Sequence, residues 1–129
     1  MAIENSEYYP DVVDFLMKFP FNTSQIGFDY LIHSIVRVLT LNKKTLKLNQ
    51  EVYSVLAEDF NVSSKKFEKS IRDVLITLSN NCVNCKNVAY PNDLLRNIFL
   101  APTAKAFIYA VASYLFFHHR TSNVPKTTE

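Results

Sequence analysis

Glycine is almost missing from this chain: Gly27 is the single one in 129 residues. Phosphate-cradling loops and dinucleotide fingerprints need several glycines at fixed spacing, so both are excluded. With 48% apolar residues, the same scarcity suits a compact helical protein. Cysteine is nearly as rare. Cys82 and Cys85 form one C-x-x-C, short of the four ligands of a structural zinc and not placed after a strand at a helix start, where a redox pair is activated. They read as ordinary reduced thiols of a cytosolic protein. His33 has no partner spaced to share a metal, and His118 and His119 would complete a site with the cysteines only by chance proximity. No metal and no cofactor is expected.

A long apolar run is also lacking. The longest, Ala106 to Phe117, spans 12 residues, whereas about 20 are needed to cross a bilayer. The opening MAIENSEYYPDVV has neither a basic n-region nor an apolar core, so it does not read as a signal peptide. A cytoplasmic protein with no membrane partner is expected. A large net charge is lacking too. The net charge is +2, while a dedicated nucleic-acid binder shows a stronger basic excess, so any DNA affinity must come from local charge placement. Apart from the neighbours Glu58 and Asp59, carboxylates are scattered singly, no serine sits in a nucleophile elbow, and the histidines lack an acid partner at recognisable spacing. An enzyme with a small-molecule substrate is not expected.

What the chain does have is the stretch Asn49 to Asn80, which reads as two helices joined by a tight turn. In its second half Phe67, Ile71, Val74, Leu75 and Leu78 recur at helical spacing and define one apolar face. Lys65, Lys69 and Arg72 recur on the opposite face, with Lys66 and Glu68 flanking. The first half, Gln50 to Phe60, sets Val52, Tyr53, Leu56 and Phe60 inward, with small Ala57 where another helix can cross closely. Between them, Asn61 tolerates the left-handed conformation that ends helices, and Ser63 or Ser64 can cap the next one. This is the pattern of a helix-turn-helix.

Around it, Asp11–Phe19 predicts a short helix stopped by Pro20, and Met1–Pro10 a loose end. Ile26–Leu41 predicts a long helix with Tyr30, Leu31, Val38 and Leu41 facing inward, His33 being structural or exposed. Asn42–Leu48, carrying Lys43, Lys44 and Lys47, reads as a basic loop. Asn80–Asn92 is asparagine-rich and reads as a second loop. Asp93–Leu100 is another short helix, and Thr103 caps a last one, about Ala104–Phe117. That helix is apolar almost all round, so it is either the central helix of the core or meets a second copy as a homodimer. One domain spans 1–129, with a core of about 11–118 and a flexible tail at 119–129.

Three separated pieces carry a resemblance: Gln25-Ile26-Gly27-Phe28-Asp29-Tyr30-Leu31, the stretch FNVSSKKFEKSIRDVL from Phe60 to Leu75, and Ala101-Pro102-Thr103 followed by Phe107-Ile108. Together they resemble the effector domain of the stage 0 sporulation protein A family, response regulators that start endospore formation. The likeness runs from about Val12 to Phe117, in the same order and at nearly the same spacings. It implies an all-α compact bundle of about six helices containing a helix-turn-helix, with a recognition helix at about 64–79 in the major groove of double-stranded DNA. It implies a sequence-specific DNA-binding transcriptional regulator, with Lys66, Glu68, Lys69 and Arg72 at the family's DNA-contacting positions. Ser64 and Lys65, at the start of that helix, would anchor phosphate.

The family prefers arginine where this chain has Lys66 and Lys69, and lysine lacks the planar fork that grips guanine at two atoms. Family members carry a receiver domain ahead of the effector, and here 11 residues precede Val12, so an effector-like domain standing alone is expected. A domain of that kind has a second reading: it binds a protein partner, as a modulator of a full-length regulator, in place of DNA.

Overall fold

A computed structural model describes residues 7–43 and 45–123, with side chains through His118. Six α-helices follow one another: α1 Tyr9–Leu16, α2 Ile26–Leu41, α3 Ser54–Asp59, α4 Ser64–Asn84, α5 Asp93–Leu100 and α6 Ala104–Asn123. A π-helical stretch, Leu48–Tyr53, runs directly into α3. There is no strand among the described residues, so the fold is all-α.

The bundle is built around α2, which packs most extensively on α4 and α6. From Gly27 to Val36 every residue except Asp29 is buried, so α2 is enclosed on all sides. The apolar circumference of α6 left two expectations, a central place in the core or an outer face meeting a second copy, and the first is not met. Instead Phe107, Ile108, Val111, Ala112 and Leu115 are buried while Lys105, Ala106, Ser113 and Phe117 face out. The half-buried Val38 and Leu41, expected to point inward, lie at the rim of α2.

The α2–α4 crossing is close because Gly27 has no side chain. A Cβ there would lie 2.0 Å from the Ser70 carbonyl oxygen and 3.2 Å from the Val74 Cβ. Backbone thus meets backbone, and Phe67, Ile71, Val74, Leu75 and Leu78 of α4 are buried to 2% exposure or less. Aromatic rings fill the space beside the crossing: Tyr30 stacks on Phe67 with centroids 4.5 Å apart, and Phe60 closes on Tyr30 at 4.9 Å and on His33 at 5.1 Å. His33 is structural, its Nδ1 donating to the Asp29 carbonyl at 2.9 Å. At the other end Phe15, Phe19, Phe99 and Phe107 form a second aromatic cluster.

Several boundaries differ from the sequence reading. Helix α1 begins at Tyr9 because Pro10 fits a first turn, where its missing N–H costs nothing. It ends at Leu16, short of Phe19, as Lys18 and Phe19 donate to Phe15 and Leu16 in tight turns ahead of Pro20. Helix α4 continues to Asn84, through residues expected to be loop, because Cys82 packs into the core at 3% exposure and tertiary burial overrides the weak helix preference of asparagine. Helix α6 continues past Phe117 to Asn123, no glycine or proline intervening. Residues 124–129 of the expected tail lie outside the described residues, as do 1–6 of the expected loose end.

The π winding of Leu48–Tyr53 replaces the first turns of the expected α-helix. Hydrogen bonds from residue i+5 to i bring residues four and five apart into line. Leu48, Val52 and Tyr53 therefore share one buried face. Glu51 fixes the segment and the loop before it. Its carboxylate accepts from the Lys47 backbone N–H at 2.9 Å and pairs with the Lys43 ammonium, while Arg37 donates to its carbonyl at 2.6 Å. The Lys43 hydrogen bond, then the Lys47 N–H, hold its pKa below the usual carboxylate value.

Two outcomes follow. Gly27→Ala forces α2 and α4 apart and should cost about 1–3 kcal/mol or more, read as a lower urea midpoint at unchanged slope. For Glu51, a folded pKa below the unfolded one means its contribution is present above the unfolded pKa and lost as pH falls through the depressed folded value. The protection factor of the Lys47 amide, its intrinsic exchange rate over the observed one at the same pH, should fall on acidification through that range in the wild type and be low already at neutral pH in Glu51→Gln.

Candidate nucleic-acid interface

The start of α4 is fixed by backbone geometry that the local residues dictate. Helix α3 ends with Asn61 in the left-handed region, φ 60°. Asn61 N–H donates to Glu58 and Val62 N–H to Ala57, the paired bonds of a Schellman cap. Val62 then turns inward, and Ser63 takes extended backbone with its Oγ accepting from Lys66 N–H at 3.1 Å. Ser64 donates through its hydroxyl to that of Ser54, 3.3 Å away, tying the first turn of α4 to the first of α3. The corner is the expected helix-turn-helix, with Ala57 buried where the helices meet.

Because the apolar face of α4 is consumed by α2, the opposite face is left in solvent. Lys65, Lys66, Lys69 and Arg72 are all exposed. They do not form one cluster. Lys65, Lys69 and Arg72, at i, i+4 and i+7, share a stripe with exposed Ile76, while Lys66 lies about a quarter-turn to a third of a turn further round. Lys69 pairs with Asp73 at 3.0 Å, an exposed i, i+4 bridge of a kind worth only about 0.3–0.5 kcal/mol. That pair holds the ammonium outward and is weak enough for a stronger anion to displace. Ser64 and Lys65 stand at the free N–H groups of the first turn, the positive end of the helix dipole.

Glu68 departs from the crest. It is half-buried and turns towards a cleft lined by Lys47, Asn49, Tyr53, Arg72, Thr103 and Lys105. The cleft brings Arg72 of α4 beside the N-terminus of α6, where the Thr103 hydroxyl accepts from Ala106 N–H at 3.3 Å. Lys105 was not singled out in the sequence, and Tyr53 was read there only as an inward-facing core residue. Thr103 was legible as a cap, but nothing local signals that the first turn of α6 faces the side of α4. The basic loop is anchored nearby: Tyr109 donates to the Leu46 carbonyl at 3.0 Å, leaving Lys43 and Lys47 exposed, with Lys44 outside the described residues.

The cysteine pair closes the far end of α4. Cys82 is buried and Cys85 exposed, both as free thiols. Burial pushes the Cys82 thiol up, away from the thiolate form that a reactive or metal-binding cysteine needs. Among the described residues no group of three or more histidine, cysteine or acidic side chains gathers to hold a metal ion. No helix among them is long and apolar enough to cross a membrane.

Helix-turn-helix proteins that read the major groove use a corner of this kind, with the second helix presented outward. Comparison with curated proteins and with solved structures gives no match. The family described as "Sporulation initiation factor Spo0A C terminal" matches residues 12–115, a span that takes in all of α2 to α5, the π-helical stretch and most of α1 and α6. The chain therefore belongs to the Spo0A C-terminal family, the DNA-binding effector domains of sporulation regulators.

Proposed function

We propose that this chain itself is a sequence-specific DNA-binding transcriptional regulator, not an enzyme, with α4 lying in the major groove of a duplex. The observation that carries the reading is the exposed Lys65–Lys69–Arg72 stripe, turned outward by the burial of the opposite face against α2. Lys69 and Arg72 reach base edges or phosphates, and Lys66 takes a neighbouring contact from its place further round the helix. Glu68, at the edge of the stripe, accepts from a cytosine amino group. Ser64 and Lys65 with the first-turn N–H groups bind a phosphate. Lys43 and Lys47, on a loop held rigid by Glu51, add backbone contacts that position the domain and carry no sequence information.

Pairing of two copies through α6 belongs to the same reading. Phe117 is 65% exposed and half-buried Phe116 adjoins it at 6.0 Å, an apolar edge that a second copy would cover.

Alanine at Lys69 and at Arg72 should each cost about 1–3 kcal/mol for a base contact and relax preference at the base pair read. Fluorescence titration of the double variant against the wild type's selected duplex checks this. Unchanged affinity in the double variant means that this face does not read DNA. For the pairing, Phe117→Ser should shift sedimentation at high micromolar concentration towards the monomer; an identical distribution in both proteins removes α6 from the contact.

A further inference from the structure

The cleft between the π-helical stretch, α4 and the start of α6 holds more positive character than the recognition stripe accounts for. Lys47, Arg72 and Lys105 line it against one carboxylate, Glu68. The carboxylate of Glu51, the acid on the π-helical stretch, is engaged by Lys43 and the Lys47 N–H. At one wall stands the N-terminus of α6, a helix of 20 residues whose first turn presents backbone N–H groups and the positive end of a dipole.

A second observation is independent of that helix end. Tyr53 is 3% exposed, and its hydroxyl is buried with no hydrogen-bond partner. A buried hydroxyl left unpaired costs about 1–3 kcal/mol, so an orphan of this kind asks for an explanation. The ring belongs to the cleft lining, and Glu68 and Arg72, two other walls, act electrostatically on the hydroxyl. The π winding fixes its place: Tyr53 shares the buried face with Leu48 and Val52, and its ring is packed on Phe67 at 5.8 Å.

We propose that this cleft is a binding site for one phosphate group, seated against the first-turn N–H groups of α6 and held by Lys47, Arg72 and Lys105, with the Tyr53 hydroxyl donating to it from the floor. Tetrahedral oxyanions match the arrangement because they accept from several directions at once, and cations with a helix N-terminus supply donors from several walls. Two sources share this chemistry: a phosphodiester of a duplex that also meets α4, and a free phosphate or phosphorylated small molecule. The first rests on the DNA-binding reading above; the second does not.

The test follows backbone amide shifts in the full, isotope-labelled chain. One arm titrates inorganic phosphate at constant ionic strength, with chloride as the balancing anion. The other titrates a short duplex. Saturable shifts at Ala104, Lys105 and Ala106 are expected in at least one arm, weakened about tenfold by Tyr53→Phe and by Lys105→Ala. Because the hydroxyl has no partner in the protein, Tyr53→Phe should fold with undiminished stability in phosphate-free buffer. Shifts with inorganic phosphate identify a free anion as ligand, and shifts with duplex alone identify the phosphodiester. Silence of these amides in both arms overturns the site, as does equal binding by both variants. Duplex binding that shifts α4 amides while the start of α6 stays silent in both arms overturns this site and leaves groove reading by α4 intact.

Discussion

The contact on which the rest depends is the close approach of α2 to α4 at Gly27. With hydrogen in place of a side chain, the backbone of α2 sits against the Ser70 carbonyl, a Cβ being impossible at 2.0 Å. That approach buries the whole apolar face of α4 and so decides, by exclusion, which face stays in water. The cations at Lys65, Lys69 and Arg72 are outward because their opposite numbers are inward. A wider crossing would leave α4 free to roll, and the direction of its charged stripe would no longer be determined. The Schellman cap at Asn61 and the Ser63 cap then set where the helix begins, which fixes the position of the stripe along its axis.

Net charge says little about such a surface. At +2 overall the chain has no broad basic field, so attraction must come from where the cations stand. The fold gathers them from three places far apart in sequence: the loop with Lys43 and Lys47, the stripe on α4, and Lys105 at the start of α6. Meanwhile acids are partly absorbed, Glu51 by Lys43 and the loop backbone, Asp73 by Lys69. The Asp73 pairing also tempers the stripe, since a duplex bound as proposed would have to compete for Lys69 before the ammonium is released. Lysine at positions 66 and 69 adds charge without a planar fork, so on the proposed reading these side chains would favour phosphate attraction over two-point gripping of guanine.

Much of this was readable from residue patterns because the determinants are local. Helical spacing located α2, α4 and α5, and the Asn61–Ser63 turn chemistry located the corner, since a cap or a periodic face is specified by residues within one or two turns. What was not readable depends on distant partners. Cys82 extends α4 because its side chain meets Tyr90 and the core. The π winding of Leu48–Tyr53 is selected by a face that three residues must share. The central place of α2 over α6 is a matter of which helix has neighbours on all sides, although both are rich in apolar residues. Family resemblance bridged part of this gap by supplying the order of elements. It did not reveal the Tyr53–Arg72–Lys105 cleft, whose members become neighbours only once the bundle closes.

The central claim is that the face of α4 left outside by the Gly27 crossing binds a duplex through its cations. Its most direct test is the affinity of the chain for double-stranded DNA across a salt series. With Lys65, Lys69 and Arg72 each neutralising a phosphate, log affinity should fall against log salt with a slope of about −3, and more steeply as the loop lysines join. A flat dependence, or no duplex binding at the lowest salt, would contradict the account and move the surface of α4 towards a protein partner.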